Sequence, residues 1–175
     1  MQQTMLAQIN KENSFKFYGL MVSHISRNVI AYLLLIAVYY LFAANYKIAI
    51  NNDVSLPGTF FIIHYGEKPE INDLVAFKQS AKYVPPNHKL VKILSGKEGD
   101  SIVVKDRDVY LNGTYVGHAK PLTRKGNPLT PVSETKVPPG KFYVVGTHKD
   151  SYDSRYEEFG FLDASAIEGT VYAIF

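Results

Sequence analysis

From Asn28 to Tyr46 the chain carries no charged side chain, and from Val29 to Ala44 it is almost wholly apolar, VIAYLLLIAVYYLFAA. Such a run approaches the ~20 residues a helix needs to cross the hydrocarbon core of a bilayer. It lacks the polar stripe of a helix half-buried on a soluble core. Tyr39, Tyr40 and Tyr46 gather toward one end, where an interfacial aromatic belt is expected. A buried core helix is one competing reading. A cleavable signal peptide ending at Ala43-Ala44 is another, but its apolar segment is usually about 7–15 residues behind a short basic segment. The reading adopted is an uncleaved signal anchor over residues 28–47. Lys11, Lys16 and Arg27 precede it and only Lys47 follows closely, so the positive-inside bias places residues 1–27 in the cytoplasm and 48–175 outside it. The chain is thus expected to be single-pass in the inner (cytoplasmic) membrane, with the lipid bilayer as a partner and its folded part periplasmic or extracellular.

After the apolar run the pattern changes to short β-prone segments separated by turns: Thr59–Tyr65, Leu74–Phe77, Leu90–Leu94, Ser101–Val104, Val109–Leu111, Thr114–Val116, Lys141–Val145 and Ala166–Phe175. Asn112-Gly113 between two such runs is a strong two-residue hairpin signal. No long helical pattern follows residue 50. The segment 119–140 holds five prolines and two glycines and reads as a long loop within the domain, since strands continue on both sides. The fold class expected is mainly β, an antiparallel sheet or barrel behind a single N-terminal transmembrane helix.

Several function classes are excluded early. The chain has no cysteine, which removes disulfides, thiolate catalysis and cysteine-based zinc sites. Its formal charge of +3 is small and its lysines are scattered, which argues against nucleic acid as a partner. The five histidines show no metal-ligand spacing, so neither a metal nor another cofactor is expected.

Three segments carry candidate chemistry. Ser55 lies in Val54-Ser55-Leu56-Pro57-Gly58, where Pro and Gly force a turn. Seen alone it reads as a turn residue, because a free hydroxyl is a weak nucleophile without a base. Lys92 lies in Leu90-Val91-Lys92-Ile93-Leu94, and on a strand it shares a face with Leu90 and Leu94. Burial there disfavours the ammonium and lowers its pKa from ~10.4. A neutral amine can then act as general base. The bland alternative is an edge lysine whose stem carries its charge to water. In Ser151-Tyr152-Asp153-Ser154-Arg155, Asp153 and Arg155 are placed to pair, which alone reads as a loop staple, and Ser151 is placed to orient a buried amine.

Taken together these segments resemble the type I signal peptidases, membrane-anchored Ser/Lys endopeptidases. The order is an anchor, Ser-x-Pro, the strand Asn72-Asp73-Leu74-Val75-Ala76-Phe77, then Val91-Lys92 with Gly99-Asp100 following, and last Ser151-x-Asp153-Ser154-Arg155. The resemblance covers residues 25–175 and implies a serine endopeptidase with Ser55 as nucleophile, Lys92 as general base, Ser151 orienting the lysine, and Asp153 and Arg155 as a supporting pair. Small size and the Ser-Leu-Pro-Gly context look most like the conjugative-transfer (TraF-type) branch, whose enzymes process pilin precursors and in some cases join the trimmed ends. A membrane-bound precursor or pilin is then the expected substrate. Departures from the family pattern are Asp53, where the family often has a serine donor to the oxyanion, Thr147-His148 after Gly146, Ile93 after the lysine, and extra residues at Glu157-Glu158. A non-catalytic membrane-anchored scaffold of a secretion or conjugation assembly, and a repressor-type Ser/Lys autoprotease, are the competing readings.

Overall fold

The computed structural model describes residues 2–50 and 56–174, with side chains from residue 13 onward within those ranges. It falls into two compact units, residues 1–44 and 45–175. The first holds α1 (Gln2–Arg27) and α2 (Val29–Asn45). Asn28 separates them for a local reason. Its side-chain amide donates to the His24 carbonyl at 2.8 Å, and its backbone N–H is shared between the carbonyls of His24 and Ile25. An asparagine that takes over backbone partners in this way competes with helix continuation. The helices bend by 70° there. Among the described residues no single helix is long and apolar enough to cross a membrane, whereas Asn13–Arg27 and Val29–Asn45 together meet that test by length and composition.

The described strands of the second unit all pair antiparallel, with one short 3-10 turn at Ala164–Ala166. The unit begins with β1 (Tyr46–Ile50), directly after α2, followed by β2 (Phe60–Tyr65), β3 (Leu74–Lys78), β4 (Lys89–Gly96), β5 (Ser101–Lys105), β6 (Asp108–Leu111), β7 (Thr114–His118), β8 (Thr135–Lys136), β9 (Lys141–Val145), β10 (Leu162–Asp163) and β11 (Ile167–Ala173). Seven strands form one sheet in the order β1-β2-β11-β3-β4-β9-β10, and four form another in the order β7-β6-β5-β8. The strands expected from sequence are present to within a residue or two at most ends. β1, β8 and β10 were not anticipated, the first because it continues straight out of the apolar helix and the other two because two residues carry no period.

The hairpin at Asn112-Gly113 forms as its sequence demands. Both residues have positive φ, 48° and 81°, and Leu111 pairs with Thr114 across the turn. The main core lies between the two sheets, with Val75, Phe77 and Leu94 from the larger and Ile102, Val109 and Leu111 from the smaller. A second cluster covers the opposite face of the larger sheet with Leu56, Phe61, Ile63, Ala76 and Val171. Val75, Ala76 and Phe77 are all fully buried, so β3 is covered on both faces and reads as a continuous apolar run without alternation.

The long segment 119–140 is pinned at several points. Arg107, in the β5–β6 turn with φ of 70°, donates to the carbonyls of Ala119, Lys120 and Leu129 at 2.5, 2.8 and 2.9 Å. Further along, Thr130 is held by Glu158, and Ser133 by Glu157. The two glutamates that stand out as extra residues in the sequence thus fasten this segment to the C-terminal part. Charged donors are worth more than neutral ones, roughly 1.5–3 kcal/mol each when buried and less when water can replace them. Arg107→Ala is expected to destabilise the domain by about 2 kcal/mol, read as a lower urea midpoint with an unchanged slope.

Candidate active site

Lys92 sits on β4 between Val91 and Ile93, paired across the sheet with Val75. Its neighbours Leu90 and Leu94 share its face, as strand alternation requires. The side chain is 2% exposed, so the amine does not reach bulk water along its stem. Its Nζ donates to Ser151 Oγ at 2.9 Å. The alternative of a lysine whose stem carries its charge to water is therefore not what is observed.

Ser151 is held from its backbone. Its N–H donates to the His148 carbonyl at 2.9 Å, and its own carbonyl accepts from Arg155 Nη2 at 3.1 Å. Arg155 is fastened in turn by Asp153 through a two-pronged contact, Nε to Oδ1 and Nη2 to Oδ2, both at 2.8 Å. Asp153 Oδ2 also accepts from the Gly146 N–H at 2.9 Å. Asp153, Ser154 and Arg155 are all buried. Burial works against the Arg155 cation, but hydrogen bonds to Asp153 and that residue's charge outweigh it and hold the guanidinium above its ordinary pKa. Tyr143 lies beside the pair. Burial first, and the Asp153 charge second, push its phenol far above the usual tyrosine range, so it stays neutral.

Three further residues complete this arrangement, and sequence reasoning missed them. Ser154 Oγ accepts from the Val144 N–H at 3.1 Å while its own N–H donates to the Val144 carbonyl, tying the cluster to β9. Gly117 on β7 has φ of 137°, and a Cβ there would lie 2.5 Å from Arg155 Nη1. The strand passes so close to the guanidinium that only glycine fits. Asp150 binds Lys120 and also Arg124, the latter at 3.3 Å. The hydrogen bond from Lys120 holds the Asp150 carboxyl below its ordinary range. A short-range signal for Gly117 existed in its place within a strand; Ser154 and Asp150 offered none.

Of the residues singled out in sequence, Lys92, Ser151, Asp153 and Arg155 are thus brought into one connected set. Ser55 and Asp53 lie outside the described residues. The chain next to Ser55 is described, however. Leu56 is buried in the second core cluster, against which Val91 and Ile93, the two chain neighbours of Lys92, also pack. β9 pairs with β4 only from Ile93 onward, and among the described residues no strand pairs with the other edge of Lys89–Val91. A cleft of about 370 Å³ lies here, lined in part by Tyr83, Leu90, Lys92 and Tyr152.

On this antiparallel β scaffold a buried lysine thus meets a serine whose carbonyl is held by a buried Arg/Asp pair. The sequence profile of the family described as signal peptidase, peptidase S26, matches residues 21–175, and the chain belongs to that family. Signal peptidase I V of Bacillus subtilis (strain 168) is 35% identical over 112 residues, covering 57% of this chain and 62% of that protein. Signal peptidase I of Bacillus licheniformis is 34% identical over 97 residues, covering 51% and 52%. The chain spans about half to three fifths of the length of the curated relatives it matches. The crystal structure of a signal peptidase I from Enterococcus faecalis V583 aligns with 59% of this chain and 97% of its own, at 25% identity and a TM-score of 0.41.

Removing one partner of a buried, hydrogen-bonded ion pair leaves the other uncompensated, at a cost of about 3–5 kcal/mol. Asp153→Ala also deprives the Gly146 N–H of its acceptor. The variant is expected to lose at least ~3 kcal/mol of stability by chemical denaturation, far more than an exposed control such as Asp163→Ala.

Proposed function

We propose that this protein is a membrane-anchored serine endopeptidase in which Ser55 attacks a peptide carbonyl and Lys92 is its general base. The observation that carries the reading is the nearly complete burial of the Lys92 amine against Ser151 Oγ. An amine withdrawn from water is held neutral more readily than an exposed one. A neutral amine donates one N–H to Ser151 and keeps a lone pair for the proton of an incoming hydroxyl. Family membership supports the same assignment, since the family profile spans residues 21–175 and so includes Ser55 and Lys92.

In this mechanism Lys92 takes the proton of Ser55 as Ser55 Oγ bonds to the scissile carbonyl carbon. The resulting ammonium returns that proton to the leaving amine as the C–N bond breaks, which leaves an acyl-enzyme. Water resolves the ester and releases the acid. If the precursor's own terminal amine resolves it instead, the ends are joined. Ser151, Arg155 and Asp153 act as positioning residues, setting the direction of the lysine amine. Asp53 stands where the family often has a hydroxyl donor, so backbone N–H groups, that of Ser55 included, serve the developing oxyanion.

The substrate is a membrane-bound precursor. The edge of Lys89–Val91, along which no strand lies among the described residues, suits an extended peptide added as a strand. Helix α2 has no buried residue among its apolar side chains, and it leads directly into β1. At 17 residues it spans only ~26 Å, so a crossing by α2 calls for a locally thinned membrane. The positive-inside bias orients residues 1–27 to the cytoplasm, with the β unit on the opposite side of the inner membrane. Within the family, we place the chain with the conjugative pilin-processing (TraF-type) branch on its small size and its Ser55-Leu56-Pro57-Gly58 context.

The test is processing of a candidate pilin precursor in membranes by wild type, Ser55→Ala and Lys92→Ala. Both variants are expected to lose at least ~10³-fold in kcat/KM, comparable to removing one member of a catalytic set. Undiminished processing by either contradicts the dyad. The product's mass separates hydrolysis, with one water gained, from joining, with none.

A further inference from the structure

The cleft at Lys92 has one wall with a distinct chemistry. Its apolar side is Tyr83, Val84, Pro85, Leu90 and Tyr152. Facing these is a tight hairpin from Leu122 to Pro128, which pair across it. The Thr123 N–H donates to the Asn127 carbonyl at 2.8 Å, the Asn127 N–H to Thr123 Oγ1 at 3.0 Å, and the Gly126 N–H to the Thr123 carbonyl at 3.0 Å. Gly126 takes the positive φ of 80° that closes the turn. The hairpin is also anchored at its base, by Tyr83 Oη to the Pro128 carbonyl at 2.9 Å and by Arg107 to the Leu129 carbonyl. Its tip presents Arg124 and Lys125 to the cleft.

The charge there does not cancel. Asp150 is the one carboxylate lining the cleft among the described residues, and Lys120 and Arg124 already bind it. Lys125 is exposed and forms no ion pair among the described residues. A cation carried on an ordered hairpin beside an apolar wall costs less to organise when a carboxylate arrives, because the backbone that bears it is held beforehand. It also steers acidic ligands and disfavours basic ones.

We propose that the Leu122–Pro128 hairpin is a specificity arm and that Lys125 at its tip selects precursors with an acidic side chain within three residues of the scissile bond. This rests on the Ser55/Lys92 reading and names a preference of the same site. An apolar neighbour of that acidic residue packs against Leu90 and Tyr152, while the carboxylate meets Lys125.

The test uses full-length protein in detergent micelles with three sets of fluorogenic peptides built on an Ala-x-Ala segment. The sets carry Asp, Asn or Lys, one position at a time, at each of the three residues on either side of the scissile bond. For at least one position, wild type is expected to favour Asp over Lys in kcat/KM by on the order of fivefold at low salt, as suits a partly exposed pair, with the preference fading in 1 M salt. Lys125→Glu is expected to bring that ratio below one, and Lys125→Arg to keep it. Lys105→Glu, the same charge change on the β5–β6 hairpin, is expected to leave it as in wild type. A wild-type enzyme that cleaves all three sets equally, or a ratio insensitive to Lys125→Glu, overturns the specificity arm alone. Cleavage of none of the peptides, together with no processing of a membrane precursor, overturns the peptidase reading and this inference with it.

Discussion

The buried pair of Asp153 and Arg155 is the contact on which the rest of the site depends. Arg155 cannot be withdrawn from water without a carboxylate, and Asp153 meets it with both oxygens. Once paired, the two have fixed directions, and their remaining hydrogen-bonding capacity fixes the neighbours. Asp153 holds the Gly146 N–H and Arg155 holds the Ser151 carbonyl. The Ser151 hydroxyl is then aimed at Lys92. A buried ion pair of this kind contributes little net stability over an apolar replacement. Its contribution is conformational: a loop that sequence alone would leave free is set to within hydrogen-bond tolerance of a buried amine. Gly117 shows how closely the surroundings fit, since the smaller sheet runs against the guanidinium with no room for a methyl group.

Lys92 occupies the complementary position. Its strand lies in the larger sheet, next to β3, which is buried on both faces. The β-carbon of Lys92 therefore has a rigid base, and Ser151 sets the far end of its side chain. The two ends come from segments 59 residues apart. The amine is thus fixed by the fold as a whole and not by local turn geometry.

Much of this was legible in the chain. Alternation and β-branched content located most strands, and Asn112-Gly113 fixed the hairpin because only residues tolerant of positive φ close a two-residue turn there. Lys92 was legible as unusual because leucines flank it on its own face. Its actual burial was not, since a strand at the edge of a sheet has the same pattern as one inside it. The Asp153/Arg155 pairing followed from spacing, but its two-pronged geometry and its reach to Ser151 depend on the path of the loop. Interactions between distant segments left no local trace. Arg107 holding residues 119–129 and Asp150 receiving Lys120 are contacts that only the closed fold defines. The apolar run read as one helix over residues 28–47, and α2 occupies Val29–Asn45 of it, but nothing local showed that a second helix would precede it across Asn28, whose side chain takes the His24 carbonyl.

The central claim is that the fold keeps the Lys92 amine neutral in the working pH range. Nitrogen NMR on full-length protein carrying 15N-lysine, with Lys92→Arg to assign the signal, measures its titration directly. The account predicts a midpoint well below the ordinary ~10.4 of lysine, rising toward it when Asp153→Asn loosens the Ser151 loop and admits water. A midpoint at or above ~10.4 in the wild type would contradict it.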